Sequence, residues 1–456
     1  MSNPQDTQIL TQLSRIIDPD LGKDIVTLGF IHNLQIQGGA VSLRIELTTP
    51  ACPVKDMFQR EAETAIRELP WVTDVAIEMG ASKKTAGIEA KQNGLVHVRH
   101  IIAVSSCKGG VGKSTVAVNL AFSLAQQGAE VGIFDADVYG PSLPVMVKIN
   151  PQPIQFKKDL LMPVVQNGVK LMSFGYVQDP DNPGPAMMRG PMVSQVINQL
   201  LTGTDWGHLD YLILDLPPGT GDIQLTLAQL VPITAAVIVT TPQYVSFIDV
   251  EKGIQMFGSL KIPAIAVVEN MSYFVCDNCD KKHYLFGANN VTEKLKRQFG
   301  IAASFEVPLM PQISEGADEG LPISVILDGK SDSNPFWALS QSVVREVAKI
   351  THEGKALVNV ESCDEGRLIR ITRDGESIGT VSAKTLRAGC QCAHCINEWT
   401  QEVMVDAAAI PDTLTALEPP KPVGNYAWFL KWSDGHDSLI PTDTILNQLA
   451  IPTQRQ

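Results

Sequence analysis

Residues 101–115, IIAVSSCKGGVGKST, decide how the chain is read. The apolar run 101–104 predicts a buried parallel strand, and the apolar run 116–125 predicts a helix. Between them stand Gly109, Gly110 and Gly112, followed by Lys113, Ser114 and Thr115. A strand, a glycine loop and a helix, in that order, make a phosphate cradle. Glycines let backbone N–H groups turn toward an anion with no Cβ in the way, and the helix N-terminus favours negative charge. On this pattern Gly109, Gly110, Val111, Gly112, Lys113, Ser114 and Thr115 wrap the phosphates of a nucleotide. Lys113 reaches the β/γ-phosphates, and the Ser114 hydroxyl sits on Mg²⁺.

The loop departs from the common G-x-x-x-x-G-K-[ST] spacing. Cys107 stands where that spacing wants glycine, and Lys108 precedes the glycine pair. KGGVGKS resembles the deviant Walker A of the MinD/ParA/nitrogenase-reductase class of P-loop ATPases. The resemblance implies an α/β fold on a parallel sheet, ATP as the nucleotide, and a homodimer in which Lys108 reaches the partner's nucleotide. A solvated loop charge is the plainer reading of Lys108.

Outward from this loop, the chain has 456 residues, enough for two or three domains, and an ordinary globular composition of 44% hydrophobic and 19% charged residues. A formal net charge of −13 argues against a general nucleic-acid or anionic-membrane surface. The start, MSNPQDTQIL, has neither signal nor transit character, and no apolar run is long enough to span a bilayer. The expected location is cytoplasmic. The eight cysteines are then expected as metal ligands or buried thiols rather than disulfides.

Residues 1–80 read as a small α+β unit. A helix is expected over 8–17, strands over 25–37 and 40–48 joined at Gly38-Gly39, a helix over 54–69 and a strand over 72–78. DPDLGKDIVTLGFI and TTPACPVKD resemble the PaaD/SufT type of Fe–S assembly domain. That resemblance makes Cys52 a functional candidate, whereas a lone cysteine before a helix is otherwise a small buried hydrophobe. Residues 81–98 read as a linker.

From 99 to 350, strand-like runs (101–105, 130–134, 169–173, 211–214, 235–240 and 264–268) alternate with helix-length segments. Ligands of such sheets bind at the carboxyl ends of the strands. Asp135 and Asp137 stand two apart at one such end, so both carboxylates point to one face. They resemble switch I, in which Asp137 orients or activates water and Asp135 supports Mg²⁺. Asp215 closes the apolar run of YLILD and looks like the Walker B carboxylate. The 217–222 run after it resembles switch II. Asn270 matches the adenine-reading asparagine of the family; a turn or cap role is the alternative.

Cys276-Asp277-Asn278-Cys279 is expected in a loop past the 264–268 strand. One chain supplies two thiols there, and a four-thiolate site needs a second pair, which a two-fold dimer provides. A bridging [4Fe–4S] cluster and Zn²⁺ both fit; an isolated pair is otherwise redox chemistry or chance. The arrangement resembles the Mrp/Nbp-type, ApbC-like Fe–S carrier ATPases, which implies a labile cluster that is passed on.

Residues 355–456 form a third, β-rich unit with a dense CxCxxC run, Cys390, Cys392 and Cys395. LRAGCQCAHCINEWT with WSDGHDSLIP resembles the small zinc domain of γ-butyrobetaine hydroxylase. By that match Cys390, Cys392, Cys395 and His436 hold structural Zn²⁺, with His394 as the local alternative and a second Fe–S site also open. The three units in sequence resemble the high-chlorophyll-fluorescence type of Fe–S carrier. The resemblance implies an ATP hydrolase that receives a [4Fe–4S] cluster from a scaffold and transfers it to apo-proteins; the charge balance adds the expectation of no nucleic acid or membrane partner. A ParA/MinD-type positioning ATPase and an ATP-gated electron donor like nitrogenase reductase remain the rivals.

Overall fold

The computed structural model describes residues 4–449 apart from 82–92, 150–154, 158–159, 178–189, 220–221, 288–294, 296–297, 302, 328–332, 353–357, 374–375, 391–394, 396–403, 405 and 424–426. Most of the expected 81–98 linker, Cys392 and His394 lie outside the described residues. The chain divides into two compact units: residues 1–102 with 114–216 and 310–354, and residues 103–113 with 217–309 and 355–456.

The first unit begins with α1 (Pro4–Leu13), β1 (Ile31–Gln37), β2 (Ala40–Leu47), α2 (Lys55–Arg67) and β3 (Asp74–Ala81). β1 and β2 pair antiparallel, and β2 and β3 pair parallel. Gly38 and Gly39 both take positive φ, 56° and 94°, as a tight hairpin turn requires. Ile9, Leu13, Leu43, Ile45, Phe58 and Ile66 form the core that closes the sheet against both helices. Two expectations shift here. The first helix lies over Pro4–Leu13 instead of 8–17. Residues 25–30 are turns rather than strand, because the Asp24 carboxylate accepts from the N–H of Val26 (3.0 Å) and Thr27 (2.8 Å) and from the Thr27 hydroxyl (2.6 Å).

The rest of the first unit carries α3 (Lys113–Gln126), β5 (Val131–Asp135), α4 (Leu143–Met146), the short pair β6 (Phe156–Lys157) and β7 (Leu160–Leu161), β8 (Val164–Gln166), β9 (Val169–Ser173), α5 (Phe174–Val177), α6 (Gly190–Thr202) and β10 (Leu209–Asp215). β5 pairs parallel with β9 and β10, while β8 adds an antiparallel edge to β9. Every residue of β5 and β10 is buried, as expected of strands covered on both faces. Helices Pro311–Glu319 and Trp337–His352 complete the unit.

The second unit holds the phosphate-loop residues, α7 (Asp222–Leu230), β11 (Ala235–Thr240), α8 (Tyr244–Ser259), β12 (Ala264–Asn270), the ribbon β13 (Phe274–Val275) and β14 (Lys282–His283), and β15 (Ala303–Val307). β4 (Val98–Ser105) is shared by both units, and hydrogen bonding orders the central sheet β15-β12-β11-β4-β10-β5-β9-β8. The sheet is mostly parallel, with β8 as an antiparallel edge. The C-terminal residues of the unit form two antiparallel three-stranded sheets: β16 (Val358–Cys363), β17 (Leu368–Arg373) and β18 (Glu376–Ser382), then β19 (Lys421–Val423), β20 (Ala427–Lys431) and β21 (Asp437–Pro441). Their core is built from Ile369, Ile371, Leu386, Leu430, Trp432 and Ile440. Among the described residues no helix is long and apolar enough to cross a membrane.

Candidate nucleotide and metal sites

The loop after β4 leads directly into α3, so Lys113, Ser114 and Thr115 form the first turn of that helix. Gly110 (φ 77°) and Gly112 (φ 81°) supply the left-handed backbone that curls the loop. The loop is braced from three sides. Ser106 Oγ donates to Lys108 O (3.0 Å), Gly219 N donates to Ser106 O (3.0 Å), and Asn270 Nδ2 donates to Val111 O (2.9 Å). A Cβ on Gly112 would collide with the Asn270 side-chain amide. Lys113 is buried, whereas Lys108, Gly109 and Gly110 are exposed. Cys107 packs against Gly253 of α8, and burial pushes its thiol up to about 11. Asn270, expected to read adenine, lies with its amide nitrogen on the loop backbone.

Asp135 and Asp215 end β5 and β10 side by side in register, each only 1% exposed. Asp135 engages both oxygens: Oδ1 accepts from Asp137 N (3.0 Å), and Oδ2 accepts from Leu143 N (3.1 Å) and Ser173 Oγ (3.3 Å). It thereby fixes the course of residues 136–143. Asp137 is half-buried and accepts from Gly140 N (3.2 Å). Thr220 and Gly221 of the expected switch II lie outside the described residues, and Gln224 Nε2 donates to Pro217 O across that segment.

The cysteine pair occupies the turn of a short ribbon that the sequence reading did not include. Cys276 and Cys279 lie in a loop past β12, as expected; that loop is the turn joining β13 and β14. Cys276 N donates to Lys281 O (3.0 Å), and Asp280 N donates to Cys276 O (2.8 Å). The backbone amides of Asn278 and then Cys279 aim at the Cys276 sulfur and pull its thiol below the usual range. His283, on the return strand, falls in the same ligand group: the ligand atoms of Cys276, Cys279 and His283 lie within 4.8 Å of one another. His283 is thus a third candidate ligand beside the two thiols expected of one chain. The signal was a histidine four residues past the second thiol.

In the C-terminal unit, Cys390 and Cys395 are brought together with His436, the three ligand atoms again within 4.8 Å. His436 Nε2 stands 3.4 Å from Cys390 Sγ and 3.6 Å from Cys395 Sγ. Arg387 Nη1 donates to Cys395 Sγ (3.3 Å), and Arg387 Nε donates to Asp434 Oδ2 (2.8 Å). Asp434 Oδ1 in turn accepts from His436 N (3.0 Å). Two buried thiols, an imidazole and a set of orienting partners fit tetrahedral Zn²⁺. Cys52 behaves differently. It faces a cavity of about 20 Å³ lined by Asp18, Asp20, Phe30, Val344 and Arg345. Burial, then the Asp18 and Asp20 carboxylates, push its thiol up to about 11, so it stands protonated at neutral pH.

A P-loop on a mostly parallel sheet defines a nucleotide-binding protein, and this one also carries two groups of candidate metal ligands. Residues 97–347 match the family described as NUBPL iron-transfer P-loop NTPase, residues 6–79 match an iron–sulfur cluster assembly domain, and residues 360–444 match the N-terminal domain of γ-butyrobetaine hydroxylase-like proteins. The chain belongs to the family of iron-transfer P-loop NTPases that act as Fe–S cluster carriers, as the resemblances in its sequence implied.

Among relatives, it is 47% identical to the chloroplastic Fe–S cluster assembly factor HCF101 of Arabidopsis thaliana, over 98% of this chain and 83% of that one. It is 41% identical to the iron–sulfur cluster carrier protein of Escherichia coli, over 74% of this chain and 89% of that one. A solved nucleotide-binding protein from Archaeoglobus fulgidus, in complex with ADP, is 38% identical with a TM-score of 0.44, over 50% of this chain and 88% of that one.

Proposed function

We propose that this chain is an ATP-driven carrier that holds a [4Fe–4S] cluster between the Cys276/Cys279 pairs of two copies and delivers it to apo-proteins. The observation that carries the reading is the thiol pair at the ribbon's tip, with Cys279 exposed and two backbone amides aimed at the half-buried Cys276, on a chain that also bears a P-loop. The cluster is cargo, so its ligands belong at the surface, unlike the buried Cys390/Cys395 set. Val275, Tyr284, Leu285 and Phe286 are exposed around the thiols, an apolar collar that a second copy suits. Lys108, exposed beside the glycines, serves the partner's nucleotide on this reading. Within one chain, Lys113 and the loop amides hold the phosphates, Ser114 and Asp215 hold Mg²⁺, and Asp137 orients water. Hydrolysis then relaxes the segment after Asp215 and loosens the dimer around its cargo. A scaffold supplies the cluster, and neither nucleic acid nor membrane takes part. Zn²⁺ at Cys390, Cys392, Cys395 and His436 stabilises the C-terminal fold and takes no part in transfer.

Anaerobic reconstitution with iron and sulfide tests this. About four irons per wild-type dimer are expected, lost in Cys276→Ala/Cys279→Ala while zinc stays at about one per chain. Lys113→Ala should keep its iron and lose transfer to an apo-acceptor. A Lys113→Ala protein that transfers normally without binding nucleotide would overturn the reading.

A further inference from the structure

We propose that Cys276, Cys279 and His283 form a three-ligand site for one divalent transition-metal ion within a single chain, leaving a fourth position open. The inference rests on the reading of the thiol pair as a metal site, but not on the carrier function or on the dimer. The ribbon itself supplies the geometry. Phe274 pairs opposite His283, and Val275 pairs opposite Lys282. Side chains alternate along a strand, so Cys276, two residues past Phe274, emerges on the His283 face. Diagonal neighbours on one face are within reach of long side chains. The turn then folds Cys279 back toward both, aided by the left-handed Asp280 (φ 55°). All three ligand atoms fall within 4.8 Å of one another.

The opposite face is differently furnished. Lys282 Nζ sits 4.0 Å from the centroid of the Tyr273 ring, and Tyr273 meets Tyr284 at 6.2 Å. Lys282 is therefore held on an aromatic shelf, on the face opposite Cys276 and His283. Two thiolates and an imidazole are a donor set for Zn²⁺, Co²⁺ or Fe²⁺. Cys279 and His283 are exposed, so the fourth position opens to solvent and to an exchangeable ligand, as in metal sites that bind and release. The C-terminal set, with both of its described cysteines buried, has the closed character of a structural site. One consequence is that a monomer loads a single ion before any cluster arrives, and that zinc in the ribbon competes with cluster loading.

The test is an anaerobic Co²⁺ titration of the full chain without nucleotide, read by visible ligand-field and thiolate charge-transfer bands. The oligomeric state is followed by sedimentation. Wild type is compared with Cys276→Ser and His283→Ala, each with the C-terminal ligands intact so that their contribution subtracts. Because the ribbon is exposed, neither substitution removes core packing; equal melting temperatures verify this.

Wild-type monomer should take up one more Co²⁺ per chain than Cys276→Ser. His283→Ala should bind that ion at least about tenfold more weakly, with altered band shape. Unchanged affinity and bands in His283→Ala overturn the proposal, as does extra Co²⁺ found only in a dimer fraction. Cluster reconstitution is scored separately. Cobalt uptake without cluster loading sinks the carrier reading alone, and cluster loading without monomer cobalt uptake sinks this inference alone.

Discussion

Gly112 is constrained twice. Its φ of 81° costs an L-residue about 1–2 kcal/mol, and its missing Cβ is the space in which the Asn270 amide reaches Val111 O. Gly112→Ala should therefore lower nucleotide affinity about ten- to a hundredfold, measured by titration with a fluorescent nucleotide. In an Asn270→Ala background the collision is gone, so the same substitution should cost less. Strict additivity of the two changes would show that the amide is not the obstacle. His100 makes a second prediction. Burial, reinforced by Arg99, lowers it to about 4 from an ordinary 6.5. Above pH 6.5 it is neutral folded or unfolded and adds nothing. Between pH 6.5 and 4 the unfolded chain binds the proton and the folded chain does not, so stability falls as pH falls, by on the order of 3 kcal/mol. The difference in unfolding free energy between wild type and His100→Phe should carry this slope and flatten below pH 4. A pH-independent difference would refute it.

At the scale of elements, the buried strands were legible because their apolar runs are continuous: β9 and β11 match the expected 169–173 and 235–240 residue for residue. The edges were not. β15 carries Ser304 and Glu306 among its five residues, and β8 has three residues, so neither shows the uninterrupted apolar signal of a central strand. The phosphate loop was legible as a motif, but its braces were not, because Ser106, Gly219 and Asn270 meet only in three dimensions. His283 was missed for the same reason: its pairing with Phe274 is a matter of register. Helix α3, which opens at Lys113, is held by a buried polar cluster also invisible in sequence. Ser324 N donates to Asn119 Oδ1 (3.1 Å), Ser123 Oγ and Ser324 Oγ lie 2.9 Å apart, and Asn334 Nδ2 donates to Ser123 Oγ (3.1 Å). Asn334 Oδ1 also accepts from Phe336 N (2.9 Å). Asn334→Ala leaves these buried groups short of partners and should cost about 2–3 kcal/mol in urea unfolding. A cost below about 0.5 kcal/mol would mean that the cluster does not anchor α3.

Taken whole, the molecule combines ligand sites of opposite character. The ribbon presents Cys279 and His283 to solvent, whereas the two C-terminal cysteines are buried and wired through Arg387 and Asp434 to the fold around them. Exposed ligands let go of what they hold; buried ones make the metal part of the folding equilibrium. The C-terminal core is small, built from about a dozen buried side chains on two short sheets, so on the zinc reading a bound ion would contribute a large share of its stability. The ATPase core depends instead on a long buried sheet and gains from nucleotide by mass action, about 2.7 kcal/mol when ligand stands at a hundred times its dissociation constant. Calorimetry of the full chain should accordingly resolve two responses. A strong zinc chelator should lower only the transition of the C-terminal core, reported by Trp428 and Trp432 fluorescence, while MgATP should raise only the transition of the ATPase core. Substituting Cys395→Ser should reproduce the chelator's effect and abolish any further response to it. If chelation shifts both transitions equally, the C-terminal metal stabilises the molecule as one cooperative block, and the separation of a structural zinc from the transferable cargo fails.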